Sequence, residues 1–174
     1  MELAHTSGLK PDTLAAIRSL LDDAFRGELT DDDWQHCLGG MHALLWDGDE
    51  LIGHASVTQR RVIYGGRALR TGYVEGLAVR EDRRRQGHGR ALMDPVERIV
   101  RGAHELGALS ATDDGVGFYT ALGWQLWEGP TYGLSPTGIV RTEEDDGSVF
   151  VLPVSVELDV TGELTCDWRD GDVW

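Results

Sequence analysis

Residues Tyr73 to Ala91 read YVEGLAVREDRRRQGHGRA. Tyr73 to Val79 is a short apolar run carrying one acid, Glu75, and one glycine, Gly76. It predicts a buried strand, interrupted where its backbone passes close to another group. Glu81 and Asp82 make a polar turn, and Arg84-Arg85-Gln86-Gly87-His88-Gly89 then opens a helix. Strand, basic glycine-containing turn and helix N-terminus in that order build an anion site, because unpaired backbone N–H groups and the positive helix end converge there. Five arginines between Arg80 and Arg90 add formal charge, in a chain of net charge -14. The plain alternative is a basic turn that caps a helix. Two familiar phosphate fingerprints are absent. A P-loop ends in Gly-Lys-Ser/Thr, whereas the only lysine is Lys10. A dinucleotide fold needs three spaced glycines directly after its first strand.

Upstream of this stretch, Pro11 and Asp12 open a first helix whose Leu14, Ile17, Leu20, Leu21, Ala24 and Phe25 share one side, and Gly27 ends it. Thr30 caps a short second helix, with Asp33 as the reciprocal acid. Capping and dipole complementarity account for Asp31 and Asp32, while Glu28 stands outside in a turn. Met41 to Trp46 and Leu51 to Val62 alternate as two strands around the turn Asp47-Gly48-Asp49. Tyr64-Gly65-Gly66 turns the chain into a short strand near Ala68 to Arg70, ahead of the strand at Tyr73, which makes an antiparallel meander.

Downstream, His88 to about Leu106 reads as a helix with Leu92, Met93, Val96, Ile99, Val100 and Ala103 inward and Gly107 as its stop. Pro95 is a kink site unless it falls in the first turns. Ala108 to Ala111 is a strand, parallel to the central one through this crossover. A short helix follows through Phe118, Tyr119 and Leu122, then a strand from Trp124 to Trp127. Gly129 to Gly138 reads as a loop with two prolines, Glu143 to Gly147 as an acidic turn, and Ser148 to Leu152 and Val154 to Leu158 as strands about Pro153.

A length of 174 residues, with 41% hydrophobic and 26% charged residues, fits one soluble domain over residues 1–174, with neither repeats nor a low-complexity linker. No apolar run suffices for a membrane span, and the N-terminus lacks the apolar core of a signal peptide, so the expectation is a cytoplasmic protein. Cys37 and Cys166 are lone thiols, and the six histidines are scattered without an HExxH pair, so no metal is expected. Net charge -14 argues against a nucleic-acid partner and permits a cationic substrate.

The spacing Arg84-x-x-Gly87-x-Gly89, between a strand with an internal glycine and an amphipathic helix, resembles the acetyl-CoA pyrophosphate loop of the GNAT acetyltransferase superfamily. FYTALGW, Phe118 to Trp124, extends the resemblance over roughly residues 41 to 127. The resemblance implies an α/β (α+β) fold: a mixed, mostly antiparallel sheet with a splayed central parallel strand pair, flanked by helices. It implies that backbone groups of Leu77, Ala78 and Val79 pair with pantetheine, and that the amides of Arg84, Arg85, Gln86, Gly87, His88 and Gly89 hold the pyrophosphate. Tyr119 matches the position of the general acid that protonates the leaving thiolate, a role open to a phenol with pKa near 10. Its spacing alone serves equally well for packing a short helix. An amine acceptor must lose a proton, and Glu75, an acid within an apolar strand, is the candidate base, unless it faces solvent.

FRGELTDDDWQHCLGGMHAL (Phe25 to Leu44), YVEGLAVR, VFVLP and CDWRDGDVW (Cys166 to Trp174) are similar to a closer group, the aminoglycoside 2'-N-acetyltransferases, over nearly the whole chain. That similarity implies transfer of acetyl from acetyl-CoA to the 2'-amine of an aminoglycoside by direct attack in a ternary complex, as in antibiotic resistance, and a homodimer. It implies a substrate site of Glu28 (commonly Asp in the family), Glu75, Gly76, Ser110, Glu144, Asp145, Asp172 and the carboxylate of Trp174. The physics agrees: an aminoglycoside is a polycation, and residues 141–174 carry ten acids against Arg141 and Arg169. Unpartnered surface acids are the bland reading of that tail. The alternatives are another acceptor (an amino sugar, a polyamine or a peptide amine) or a non-catalytic acetyl-CoA-binding regulatory module. No covalent acetyl-enzyme is expected, on the ground that neither cysteine adjoins the acyl site.

Overall fold

A computed structural model describes all residues, 1–174. The chain divides into two compact units, Met1–Thr58 with Val74–Ile99, and Gln59–Tyr73 with Val100–Trp174. No helix is long and apolar enough to cross a membrane.

The first unit holds β1 (Glu2–His5), α1 (Pro11–Ala24), α2 (Asp31–His36), β2 (Met41–Asp47), the first part of β3 (Glu50–Tyr64), the last part of β4 (Arg67–Val79) and most of α3 (His88–Ala103). Pro11 starts α1 with its φ pre-set and no N–H to waste. The helix buries Ile17, Leu20 and Leu21 against Cys37, Leu44, Leu51 and Ala78. Truncating Ile17 or one of the leucines to Ala costs about 2–5 kcal/mol. Arg26 (φ 56) and Gly27 (φ 79) take left-handed backbone and stop α1, and the Gly27 amide reaches the Asp22 carbonyl at 2.8 Å. The expected capping box of α2 is present: Asp33 N–H donates to Thr30 Oγ1 (3.1 Å), and Thr30 N–H to Asp33 Oδ2 (2.8 Å). β2 and β3 pair antiparallel from Met41↔Val57 to Asp47↔Glu50, and β1 adds to β2.

The second unit continues β3 and β4 and adds β5 (Leu106–Ser110), α4 (Val116–Ala121), β6 (Gln125–Leu126), β7 (Thr131–Ser135), β8 (Gly138–Arg141), β9 (Val149–Pro153) and β10 (Leu164–Asp167). The strand order is β6-β9-β5-β4-β3-β10-β7-β8. Gly65 (φ 56) and Gly66 (φ 75) turn β3 into β4, the positive-φ pair that a two-residue hairpin demands. β4 and β5 are parallel, as the helical crossover requires, but the ladder covers only Thr71↔Leu106 to Tyr73↔Ala108. Beyond it β5 continues to Ser110 against β9, and β4 continues to Val79. Val62, Leu69, Tyr73, Leu106, Trp127, Val149, Leu164 and Trp174 share one core.

Five sequence expectations change. The segments at 68–70 and 73–79 are one strand, β4, because Gly72 inside it marks close packing rather than a turn. A Cβ there would stand 2.7 Å from His104 Cδ2. α3 ends at Ala103, not near Leu106. Gly107 lies within β5, where a Cβ would meet Val100 Cγ1 at 2.9 Å and Trp124 Cη2 at 3.0 Å, so its small size serves packing. The loop expected at 129–138 holds β7 and the start of β8, since Pro130 and Pro136 flank β7 instead of interrupting it. Residues 154–158 are not a strand, because the amides of Val154 and Ser155 both turn onto the Glu105 carbonyl at 3.1 Å. The tail supplies β10 instead, parallel to β7. The N-terminal strand β1 was not expected at all. α3 runs from His88 to Ala103 with Pro95 inside it.

Candidate functional site

In the first unit the decisive feature is the turn from β4 into α3. Arg85 (φ 60) and Gly87 (φ 84) are left-handed, which turns successive amides outward from the loop. The amides of Arg85, Gln86, Gly87, His88 and Gly89 donate to no protein acceptor, whereas Arg84 N–H bonds the Glu81 carbonyl at 3.3 Å and Ala91 N–H the Gly87 carbonyl at 3.0 Å. A run of unpaired donors at a helix N-terminus fits a pyrophosphate. The left-handed arginine is a strained choice that sequence spacing does not reveal.

The five arginines are not five free charges. Arg80 pairs with Asp82 and Glu50, and Arg83 with Asp47 (2.7 Å). Arg84 Nε donates to the Val79 carbonyl at 3.0 Å and so braces the end of β4. Arg85 and Arg90 pair with no acid. Leu20, Asp23 and Ala24 of α1 line a cavity of about 690 Å³ together with Arg80, Glu81, Asp82 and Arg84.

Within β4, Glu75 and Gly76 are half-buried, and Gly76 has φ +55. A Cβ at Gly76 would lie 2.8 Å from Cys37 Sγ and 3.2 Å from Leu21 Cδ1. The interrupting glycine read from sequence is thus required twice, by conformation and by space. Two side chains of β3 hold this point of β4: His54 Nδ1 lies 2.7 Å from the Gly76 carbonyl, and Ser56 Oγ donates to the Glu75 carbonyl at 3.3 Å. Sequence reading missed both, although their spacing of two on an inward strand face was available. It also set Cys37 apart from this region, and the structure corrects that. Cys37 lies behind Gly76, 1% exposed, with its thiol donating to the Asp33 carbonyl at 3.4 Å. Glu28 sits exposed in the turn after Gly27, its amide bonded to Phe25 (3.0 Å).

In the second unit, Ser110, Glu144, Asp145, Asp172 and Trp174 gather. Ser110 Oγ donates to Ser148 Oγ (3.1 Å), and Ser148 Oγ to the Asp145 carbonyl (2.8 Å). Burial pushes the Asp145 carboxyl up to about 6, with Glu144 and Asp172 pushing the same way and a Thr142 hydrogen bond opposing. Arg169 fixes the tail: its Nε donates to the Asp172 carbonyl (2.7 Å) and its Nη2 to the Trp174 main-chain oxygen (3.0 Å). Arg60, 6% exposed, donates to Val173 (2.7 Å) and to both the side chain (2.8 Å) and carbonyl of Asp167. Both guanidinium groups lie over the Tyr73 ring, at 4.8 and 5.3 Å from its centroid. Neither arginine was singled out from sequence as a brace. Trp174 is 3% exposed. Tyr119, 8% exposed, lies in α4 against Trp124 and Phe150. Burial pushes the Cys166 thiol up to about 12, which leaves it unreactive.

Three kinds of similarity bear on this geometry. The sequence profile of the acetyltransferase (GNAT) family matches residues 14–124. An aminoglycoside 2'-N-acetyltransferase of Mycolicibacterium fortuitum is 54% identical over 176 residues, which cover 99% of this chain and 90% of that protein. A crystal structure of an aminoglycoside 6'-N-acetyltransferase with coenzyme A aligns with TM-score 0.63 at 15% identity, covering 91% of this chain and 100% of that one. A GNAT family acetyltransferase from Brucella melitensis with acetyl-CoA aligns with TM-score 0.62 at 14% identity, covering 94% and 93%. At such identities the two structures speak to the fold alone.

Proposed function

We propose, from the premise that this chain belongs to the acetyltransferase (GNAT) family, that it moves acetyl from acetyl-CoA to the 2'-amine of aminoglycosides. The family uses acetyl-CoA. The observation that carries the acceptor is 54% identity over 99% of the chain to a protein of that activity. The 174 residues are taken as one acetyltransferase domain, because β3 and β4 each run through both units. Buried free thiols at Cys37 and Cys166 suit the cytoplasm, where acetyl-CoA is made.

The residues present suit acetyl-CoA. The amide row from Arg85 to Gly89 offers donors to the pyrophosphate, with the free charge of Arg85 beside it. Leu77 to Val79 lie past the end of the parallel ladder and offer strand-like groups to pantetheine. Glu75 takes the proton that the acceptor ammonium must lose, directly or through an ordered water. The freed amine then attacks the thioester carbonyl, a C–N bond forms and the C–S bond breaks. Tyr119 protonates the departing thiolate. Transfer is direct: the Cys37 thiol is buried and engaged with Asp33, and Cys166 is held protonated. Glu28, Gly76, Ser110, Glu144, Asp145, Asp172 and Trp174 bind the polycation. The acids supply charge and the Gly76 carbonyl an acceptor. Glu28, one methylene longer than the common Asp, shifts preference among drugs.

We further propose a homodimer. β8 is the outer strand of its sheet, and it exposes Ile139 (63%) beside Leu134 of β7 (43%), an apolar edge suited to pairing with a second copy.

The regiochemistry is tested by incubating the protein with acetyl-CoA and an aminoglycoside bearing a 2'-amine, then locating the acetyl group by NMR. Acetylation at the 2'-nitrogen is expected. Acetylation elsewhere would move the chain to a different acceptor, and acetyl-CoA binding without product would favour a regulatory module.

A further inference from the structure

Two histidines that look unrelated in the sequence meet in the first unit. His42 and His54 are both 0% exposed, with His42 Nδ1 2.9 Å from His54 Nε2. His54 Nδ1 lies 2.7 Å from the Gly76 carbonyl, and His42 Nε2 lies 2.8 Å from Thr6 Oγ1. The protons on this chain are determined. A carbonyl can only accept, so His54 Nδ1 carries a proton. Burial keeps the ring neutral, holding His54 at about 3 and His42 at about 4. His54 Nε2 must therefore accept, so His42 Nδ1 donates and His42 Nε2 accepts. The Thr6 hydroxyl then donates to it, and takes the Gly39 amide (2.9 Å) on its own lone pair. Thr6 has a rival acceptor, the Gly40 carbonyl, at the longer 3.2 Å. Every donor points toward Gly76 and each ring has one tautomer.

Such a buried, fully satisfied chain is costly to distort. It ends on the one residue of β4 with left-handed backbone, while Ser56 holds the preceding carbonyl at Glu75. We propose that His54, backed by His42 and Thr6 and flanked by Ser56, is a positioning residue for acetyl transfer. It fixes the Gly76–Leu77 peptide, and Ser56 the Glu75–Gly76 peptide before it, so that the Glu75 carboxylate keeps its aim at the acceptor amine. The chain is not a proton relay to Glu75, since it stops at a carbonyl that takes no proton. The inference rests on the assignment of Glu75 as base.

The test has two independent arms. Long-range ¹H–¹⁵N NMR of the histidine rings, on the protein without substrates at pH 7, should show His42 and His54 neutral with the proton on Nδ1. A charged ring, or an Nε2–H tautomer at His54, overturns the proposal. In the second arm, His54→Leu should lower kcat on the order of 10- to 100-fold, the cost of a small misplacement, with KM for acetyl-CoA unchanged. His54→Asn places an amide near the Nδ1 position and should recover most of that loss. Equal losses in both variants, or a fall in melting temperature with kcat intact, overturn it. Should His54→Leu not fold, Ser56→Ala replaces it, with a several-fold loss of kcat expected and an unchanged kcat overturning the idea. A wild-type protein that acetylates no aminoglycoside would defeat the assigned reaction while leaving the tautomer result standing.

Discussion

At the scale of single residues, charge placement carries most of the chemistry. Glu75→Gln keeps shape and hydrogen bonding but cannot take a proton. It should cut turnover by on the order of 100-fold or more while acetyl-CoA binding, measured by calorimetry, stays as in wild type. Unchanged turnover would remove Glu75 as the base. Asp145 offers a pH test, because its folded carboxyl is raised from 3.8 to about 6. The folded state thus holds a proton that the unfolded chain has released, and the stability tied to this group falls as pH rises from about 4 to 6. Asp145→Asn removes that dependence, so its melting temperature should gain on wild type across this window and hold the gain above it. A difference that is flat with pH would contradict the assignment. Glu75 and the tail acids stand out in the sequence because an acid in an apolar strand, and ten acids in one tail, are unusual patterns, while the substrate roles given to Gly76 and to particular tail acids come from the family resemblance. His54 and Ser56 do not stand out, since an inward polar residue on a strand reads the same whether it braces a site or merely fills a core. Arg60 was hidden because its partners, Asp167 and Val173, lie 107 and 113 residues away, whereas Arg169 reaches main-chain oxygens only three and five residues on, contacts that no side-chain pattern encodes.

At the scale of elements, local signals worked and long-range pairing decided the rest. Thr30-x-x-Asp33 announced its capping box, and Thr30→Ala should cost about 1 kcal/mol by denaturant unfolding. No measurable loss would mean that α2 is held by packing alone. The strand–turn–helix of residues 73–103 was legible because glycine, basic charge and helical spacing all fall within a few residues of one another. By contrast, Gly72 and Gly107 look like breaks in the sequence and are close-packing points in the fold. Their neighbours, His104, Val100, Trp124 and Leu152, come from other elements. β10 escaped notice because its partner β7 is itself flanked by prolines. The parallel ladder that ends at Tyr73↔Ala108 is likewise a tertiary fact that no periodicity encodes.

At the scale of the whole molecule, composition bounded the class while the C-terminal segments and the strand edge speak to specificity and assembly. The exposed β8 edge leads to a dimer prediction: sedimentation should find two copies in the wild type, and Ile139→Lys, which places charge on that edge, should shift it toward one. A monomeric wild type, or a variant that dimerises equally well, would remove β8 as the interface. The net charge of -14 fits a polycationic acceptor, and it alone would not distinguish an aminoglycoside from spermine. A thiol-release assay with acetyl-CoA makes that distinction, using two aminoglycosides that differ only in a 2'-amine or 2'-hydroxyl, with spermine and an N-terminal peptide alongside. Turnover confined to the 2'-amine compound is the predicted result, and turnover of the 2'-hydroxyl compound, spermine or the peptide instead would contradict the assigned reaction.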